Sequence, residues 1–269
     1  MRDRRNRFYG ATDVGFAFPR SKKMRILISS DIHANILACE ALAKIYAREK
    51  CDLHITLGDA VDLGPWPKET LEFIKREKTV YLKGNHEEYN CSIGLGPELK
   101  KSIGKSEAEH YRWTKEQIGI DNVRYIEKLP YKYHIEIGKY NLYFQHFFLE
   151  NGIISEYNVF EYGIDGLDLD RVFGIEPKKN NVIFFGHLHK AFLTEKINTY
   201  ISVGSAGCDG KYSKGKSADI IEIDKNAYTI KPIELEWNTK TVINEIENRN
   251  MPDKDAIEEY FFNGGNAAT

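Results

Sequence analysis

The sequence predicts an α/β fold built on two sets of strands. From residue 24, short apolar, β-branched runs alternate with stretches of helical periodicity. From residue 131, the pattern changes to closely spaced strands and tight turns. Asp, Asn and His gather just after several of the apolar runs, where open α/β sheets place their ligands.

A chain of 269 residues fits one large α/β domain. Its 42% apolar and 29% charged residues describe an ordinary globular protein. No apolar run approaches the ~20 residues of a membrane span. A net charge of −2 offers no electrostatic footprint for duplex nucleic acid. Neither a membrane nor a stable nucleic-acid complex is therefore expected as a partner. Cys39, Cys51, Cys91 and Cys208 form no C-x-x-C pair and read as free thiols. With no apolar leader at the start, the cytoplasm is the expected compartment.

Residues 1–23 hold seven Lys or Arg against two Asp, with Phe8, Tyr9, Phe16 and Phe18 interleaved. That excess of five leaves −7 on the remainder, against −2 for the whole chain. Asp3 and Asp13 count against a transit peptide, and a basic arm touching nucleic acid is another reading. The favoured expectation is an extension outside the fold. A strand begins at once at Met24, itself a plausible start. Residues 24–269 are then read as a single domain.

Residues 25–29 read as a buried strand. Residues 34–50 read as a helix with Ala38, Ala41, Leu42 and Ile45 on one face and Glu40, Lys44, Arg48 and Glu49 opposite. Residues 53–57 and 79–82 are the next strands. Pro67 is suited to the first turn of the helix between them. Such alternation implies parallel strands joined by crossovers. Residues 88–130, broken at Gly94-Leu95-Gly96-Pro97, read as a helical excursion in which Tyr111 and Trp113 pack. Gly138-Lys139-Tyr140 marks a hairpin between residues 133–137 and 141–145. Residues 151–180 read as a long loop with helical pieces. Strands are expected at 182–185, 199–203, 218–223 and 228–233, then terminal helices and a fraying Gly/Asn/Ala tail.

The stretch Leu57-Gly58-Asp59-Ala60-Val61-Asp62-Leu63-Gly64 carries two carboxylates. Alone, Asp59 and Asp62 read as turn formers and caps. Their company changes this: Ser30-Asp31-Ile32-His33, Gly84-Asn85-His86-Glu87, Gln145-His146 and Gly186-His187-Leu188-His189. Five of the eight histidines lie in these positions, too many for isolated core imidazoles. His54, His110 and His134 fit that plainer role. Carboxylate, imidazole and amide oxygen without thiolate suit Mn, Fe or Zn better than Ca or Mg. Two ions about 3.5–4 Å apart need a bridging ligand, and a carboxylate is the natural one. Such a pair clamps phosphoryl oxygens and makes hydroxide available near neutral pH, which is the chemistry of phosphate-ester hydrolysis.

Taken in order, Asp31-x-His33, Gly58-Asp59, Gly84-Asn85-His86-Glu87, His146 and Gly186-His187-x-His189 resemble the five motifs of the calcineurin-like metallophosphoesterase superfamily, across roughly residues 24–225. Gly64-Pro65-Trp66-Pro67-Lys68-Glu69 and the C-terminal tail look further like predicted phosphodiesterases akin to diadenosine tetraphosphatase. The resemblance implies a four-layer αββα sandwich of two mixed sheets flanked by helices. It implies two divalent transition-metal ions, manganese favoured, with iron, zinc, nickel or cobalt as alternatives. Asp31, His33 and His189 would hold one ion, Asn85, His146 and His187 the other, and Asp59 would bridge. A metal-bridging hydroxide would attack a phosphodiester or nucleotide, with His86 as general acid. Gly58-Asp59-x-Val61-Asp62 also resembles the protein-phosphatase form of the motif, which implies that Asp62 orients His86.

Three departures stand out. Leu63 replaces an arginine that grips phosphate in protein phosphatases. Phe147-Phe148 replaces a Gly-Ser pair after His146, offering either core packing or a stacking wall. Ser202-Val203-Gly204-Ser205 replaces Asn-Pro-Gly-Ser but keeps the turn-forming Gly-Ser. The alternatives are a phosphomonoesterase or protein phosphatase, and a scaffold on the same fold without catalysis.

Overall fold

The computed structural model describes residues 9–10, 23–77, 79–91, 94, 97–213 and 215–263. In chain order these form β1 (Tyr9–Gly10), β2 (Met24–Ser29), α1 (Ile36–Glu49), β3 (Leu53–Thr56), α2 (Pro67–Arg76), β4 (Val80–Tyr81), α3 (Asn85–Tyr89), α4 (Pro97–Ser102) and α5 (Lys105–Ile126). There follow β5 (Lys132–Ile137), β6 (Tyr140–Gln145), β7 (Leu149–Glu150), β8 (Ile153–Ile154), α6 (Val159–Tyr162), α7 (Leu169–Val172), β9 (Asn181–Phe185), β10 (Ala191–Glu195) and β11 (Thr199–Val203). Last come β12 (Ser217–Ile223), β13 (Tyr228–Glu234), α8 (Thr239–Asn248), α9 (Lys254–Ile257) and a π-helical turn Glu258–Phe262.

Two mixed sheets result. One runs β13-β12-β2-β3-β4, with β2, β3 and β4 parallel and β12 antiparallel to β2. The other runs β1-β5-β6-β9-β11-β10, with β6, β9 and β11 parallel. Strand β2 shows why they stack. Ile26 and Ile28 face Phe144, Phe184 and Val203 between the sheets, while Leu27 faces the helices. Both faces are buried, so the strand reads as a continuous apolar run.

Helices α1, α2 and α5 cover the outer face of the first sheet. On the far side, Phe147, Phe148, Leu169 and Phe173 pack on Ile183, Phe185 and Tyr200 of the second. The four layers are helix, sheet, sheet, helix, as the resemblance implied. Among the described residues, no helix is long and apolar enough to cross a membrane.

Several elements have identifiable local causes. Asn35 caps α1, its side-chain oxygen accepting from the N–H groups of Leu37 and Ala38. Pro67 opens α2. Helix α5 turns sharply at Gly119 (φ 74°, ψ 163°), a conformation glycine adopts without a Cβ clash.

The structure differs from the sequence reading in three places. Strand β10 was not expected; it is an edge strand of alternating exposed and half-buried residues, without the apolar run of its neighbours. The stretch 151–180, read as a loop with helical pieces, begins inside a small hairpin, β7–β8, whose second strand is Ile153–Ile154. Tyr9–Gly10 pair in parallel with Tyr133–His134. This piece of the extension, expected outside the fold, therefore lies along a sheet edge, whose free backbone groups accept a further strand. Residues 1–8 and 11–22, and the tail at 264–269, lie outside the described residues.

Candidate metal centre

The first three motif turns leave the carboxyl ends of β2, β3 and β4 and are tied to one another through the backbone. Asp31 N–H donates to Gly58 carbonyl (3.1 Å), His33 N–H to Asp59 carbonyl (2.9 Å) and Ala34 N–H to Ala60 carbonyl (2.8 Å). Glu87 gathers what remains. Its buried carboxylate accepts from the N–H groups of Asp59 (2.8 Å), Ala60 (2.8 Å) and Gly84 (2.7 Å) and from the Tyr81 hydroxyl (2.6 Å). Gly84 is required here because a Cβ would stand 2.1 Å from Asp59 Oδ1.

The turns hold strained backbone. Asp31 (φ 53°), His33 (47°), Asp59 (53°), His187 (68°) and His189 (56°) all lie in the left-handed region. Each costs on the order of 1 kcal/mol or more and persists only where the surroundings overdetermine it. These are five of the seven residues that the motifs nominate as ligands.

Their side chains meet. Asp31 Oδ1 lies 3.2 Å from His189 Nε2 and 3.8 Å from His33 Nε2, and the two ring nitrogens are 3.0 Å apart. A second group forms around Asn85 Oδ1, which is 3.0 Å from both His146 Nε2 and His187 Nδ1. Asp59 stands between the groups. Its Oδ2 is 3.0 Å from His146 Nε2, and it shares a separate cluster with His33 and His86.

The donor set fits divalent cations. Asp31 Oδ1 is buried without a hydrogen-bond partner beside two imidazole nitrogens that are 3.0 Å apart. A cation between them would take all three as donors. All seven sequence-nominated ligands thus converge, in two groups joined at Asp59.

His86 has a different setting. Its Nδ1 is 3.0 Å from Asp62 Oδ2, and its side chain is 12% exposed. Asp62 also accepts from Asn90 Nδ2 at 2.6 Å. Burial depresses the His86 pKa, but Asp59 and then Asp62 outweigh it and raise it to about 9. His187 moves oppositely: burial and then His146 press it down to about 3. Burial would also raise Asp59, yet His146 and His86 hold it well below the usual carboxylate range.

The departures resolve as follows. Phe147 and Phe148 are buried in the outer core, and the Phe147 ring stacks on His187 with centroids 4.5 Å apart. Phe147 braces His187 from behind, and neither ring forms an open wall. Trp113 stacks on His110 (5.9 Å) and packs near Leu63 with Trp66. Tyr111 does reach the site's rim, 6.2 Å from His86 and 5.2 Å from Tyr89. The Gly204-Ser205 turn is kept, with Ser205 Oγ donating to Asp31 carbonyl at 2.8 Å.

Sequence reasoning missed Glu87 as an organiser, Asn90 as a partner of Asp62, and Tyr89, whose hydroxyl accepts from Asn85 Nδ2 at 3.1 Å. A signal existed for Glu87: it falls three residues after Gly84, the spacing at which a glutamate in the first helical turn reaches back to the N-cap backbone N–H, as it does here at 2.7 Å. Tyr89 lies four residues after Asn85, one helical turn on. The three histidines given no role stay off the ligand groups: His54 sits between Ser29 and Thr79, His134 stacks on Tyr143, and His110 accepts from Leu63 N–H at 3.0 Å.

The calcineurin-like phosphoesterase family profile matches residues 24–191. A curated protein of Methanocaldococcus jannaschii, described as uncharacterized, is 27% identical over 245 residues, covering 86% of this chain and 95% of its own length. A metallophosphoesterase from Sphaerobacter thermophilus aligns in three dimensions with a TM-score of 0.59 at 22% identity, over 87% of this chain and 97% of that one. A hypothetical protein from Pyrococcus horikoshii aligns with a TM-score of 0.70 at 18% identity, over 91% and 100%. These two likenesses show the fold.

Proposed function

Because the chain belongs to the calcineurin-like phosphoesterase family, we propose that it is a dinuclear metal-dependent phosphoesterase acting on phosphodiesters or nucleotides. One observation carries the reading: two groups of candidate ligand side chains meet at Asp59, and the His86 imidazole stands beside them with Nδ1 on the Asp62 carboxylate. Asp31, His33 and His189 would hold one ion, and Asn85, His146 and His187 the other. The donor types suit manganese, with iron, zinc, nickel or cobalt as alternatives. Bound there, the metals supply Lewis acidity and activate water near neutral pH.

The chain's own residues do the rest. Asp62 Oδ2 accepts from His86 Nδ1–H, which leaves Nε2 facing the site and favours the protonated ring. His86 then donates its proton to the departing ester oxygen. Tyr89 and Tyr111 flank His86 on that side, and Phe261 lies 5.8 Å from His189. Aromatic surroundings suit an ester with bulky substituents. Leu63, buried where protein phosphatases carry an arginine, disfavours a phosphoprotein monoester. Residues 24–269 are proposed to act as one domain, in the cytoplasm, on small phosphate esters.

Manganese-loaded protein should hydrolyse a chromogenic phosphodiester faster than the matching monoester. His86→Ala should cut turnover by about 10²–10⁴ while metal content stays normal. Loss of the metals would recast His86 as a ligand. No turnover with Mn, Fe, Co, Ni or Zn would favour the scaffold.

A further inference from the structure

We propose that Cys208 is an additional, thiolate ligand to the ion held by Asp31, His33 and His189; the inference rests on the metal-centre reading above. Ligand atoms of His33, His189 and Cys208 lie within 4.8 Å of one another, and all three side chains are buried. Two first-row metal–ligand bonds of ~2.0–2.3 Å span most of that separation. A second observation points to a cation beside the same two imidazoles. The Asp31 side chain is fully buried, and its Oδ1, which has no hydrogen-bond partner, aims at both Nε2 atoms.

The thiol's position is not a chance of packing. Segment 205–208 is laced to the strand end that carries Asp31 and His33. Ala206 N–H donates to Ser30 carbonyl (3.0 Å), Gly207 N–H to Asp31 carbonyl (3.0 Å) and Asn35 Nδ2 to Gly207 carbonyl (3.0 Å). Ser205 Oγ bridges Asp31 carbonyl and Cys208 N–H, at 2.8 and 2.9 Å. Gly207 lies so close to Ile32 that a Cβ would be 1.7 Å from its carbonyl oxygen. The contact therefore forces residue 208 alongside His33. Beyond the sulfur, Leu63, Val242, Ile246 and Phe262 close an apolar wall.

Coordination would release the thiol proton to solvent and leave a sulfur anion on one ion only. The two ions then differ. The Asn85, His146 and His187 ion keeps oxygen and nitrogen donors. The other becomes softer, favouring zinc, iron or cobalt over manganese.

X-ray absorption of the zinc-loaded full chain, with zinc content measured alongside, tests this. The expected result is two zinc ions and, averaged over them, half a sulfur scatterer per zinc at ~2.3 Å. Cys39, Cys51 and Cys91 belong to another part of the core and cannot supply it. Cys208→Ala and Cys208→Ser should each lose that shell, keep the nitrogen and oxygen shell, and shift zinc–manganese competition toward manganese several-fold. Two zinc ions with only nitrogen and oxygen neighbours in the unmodified protein would overturn the thiolate while leaving the dinuclear centre standing. Failure to bind zinc, manganese or cobalt would overturn the centre itself, and the thiolate with it. The unmodified protein decides the question even if a variant fails to fold.

Discussion

The two sheets contribute to the centre in different ways. Turns from β2, β3 and β4 form one lattice of backbone hydrogen bonds, organised by the Glu87 carboxylate. Turns from β6 and β9 reach the centre mainly through rings and are docked onto that lattice. His187 N–H donates to Asp31 Oδ2 at 3.0 Å, and Phe147 backs the His187 ring. Gly186 permits the approach, since a Cβ there would meet Ser30 Oγ at 1.9 Å. One half is held by its own backbone hydrogen bonds, while the other is tied to it through His187 N–H and Asp31. A buried carboxylate can impose order on several turns at once, because each N–H left without it would carry a desolvation cost.

The comparison can be broken most severely at the shared residue. Asp59→Asn should empty one or both metal positions, read as metal content per chain; full occupancy would exclude bridging. Next is the organiser of the first half. Glu87→Ala leaves buried N–H groups unpaired and should destabilise the fold by roughly 3 kcal/mol in urea titration. A loss below about 1 kcal/mol would mean that the lattice holds without it.

Asp62→Asn tests the proton donor and should lower turnover about tenfold. Asp62 raises the His86 pKa, so removing its charge lets His86 deprotonate at lower pH. The alkaline limb of the pH–rate profile should therefore move downward; an unmoved limb would detach it from His86. The smallest effect belongs to Asn85, where the first half meets the docked rings. Tyr89→Phe removes the acceptor that orients the Asn85 amide and should weaken metal binding about fivefold, corresponding to ~1 kcal/mol. Calorimetric titration with manganese would show it, and an unchanged affinity would leave Asn85 oriented by its ring neighbours alone.

How much was legible depended on the range over which each signal acts. Asp31, Asp59 and Asn85 were placed at strand ends because apolar periodicity is local. The Asp62–His86 pair came from a motif resemblance, and the side chains lie 3.0 Å apart. Glu87 was visible as a letter but not as a hub, since two of its partners are backbone groups of residues 59 and 60. Backbone N–H groups leave no mark in the sequence. Strand β10 escaped because an edge strand needs no continuous apolar run. Phe147 and Phe148 kept two readings until their burial removed one.

The sequence by itself determined the alternation of strand and helix, the donor chemistry and the family, because each is written in residue type and short-range spacing. Only the tertiary structure decided which candidate donors meet, which carboxylate braces the turns and that a thiol at 208 lies near a histidine at 33. Those relations join residues far apart along the chain. They arise from how two sheets stack and how closely glycines let their loops approach, which no local pattern encodes.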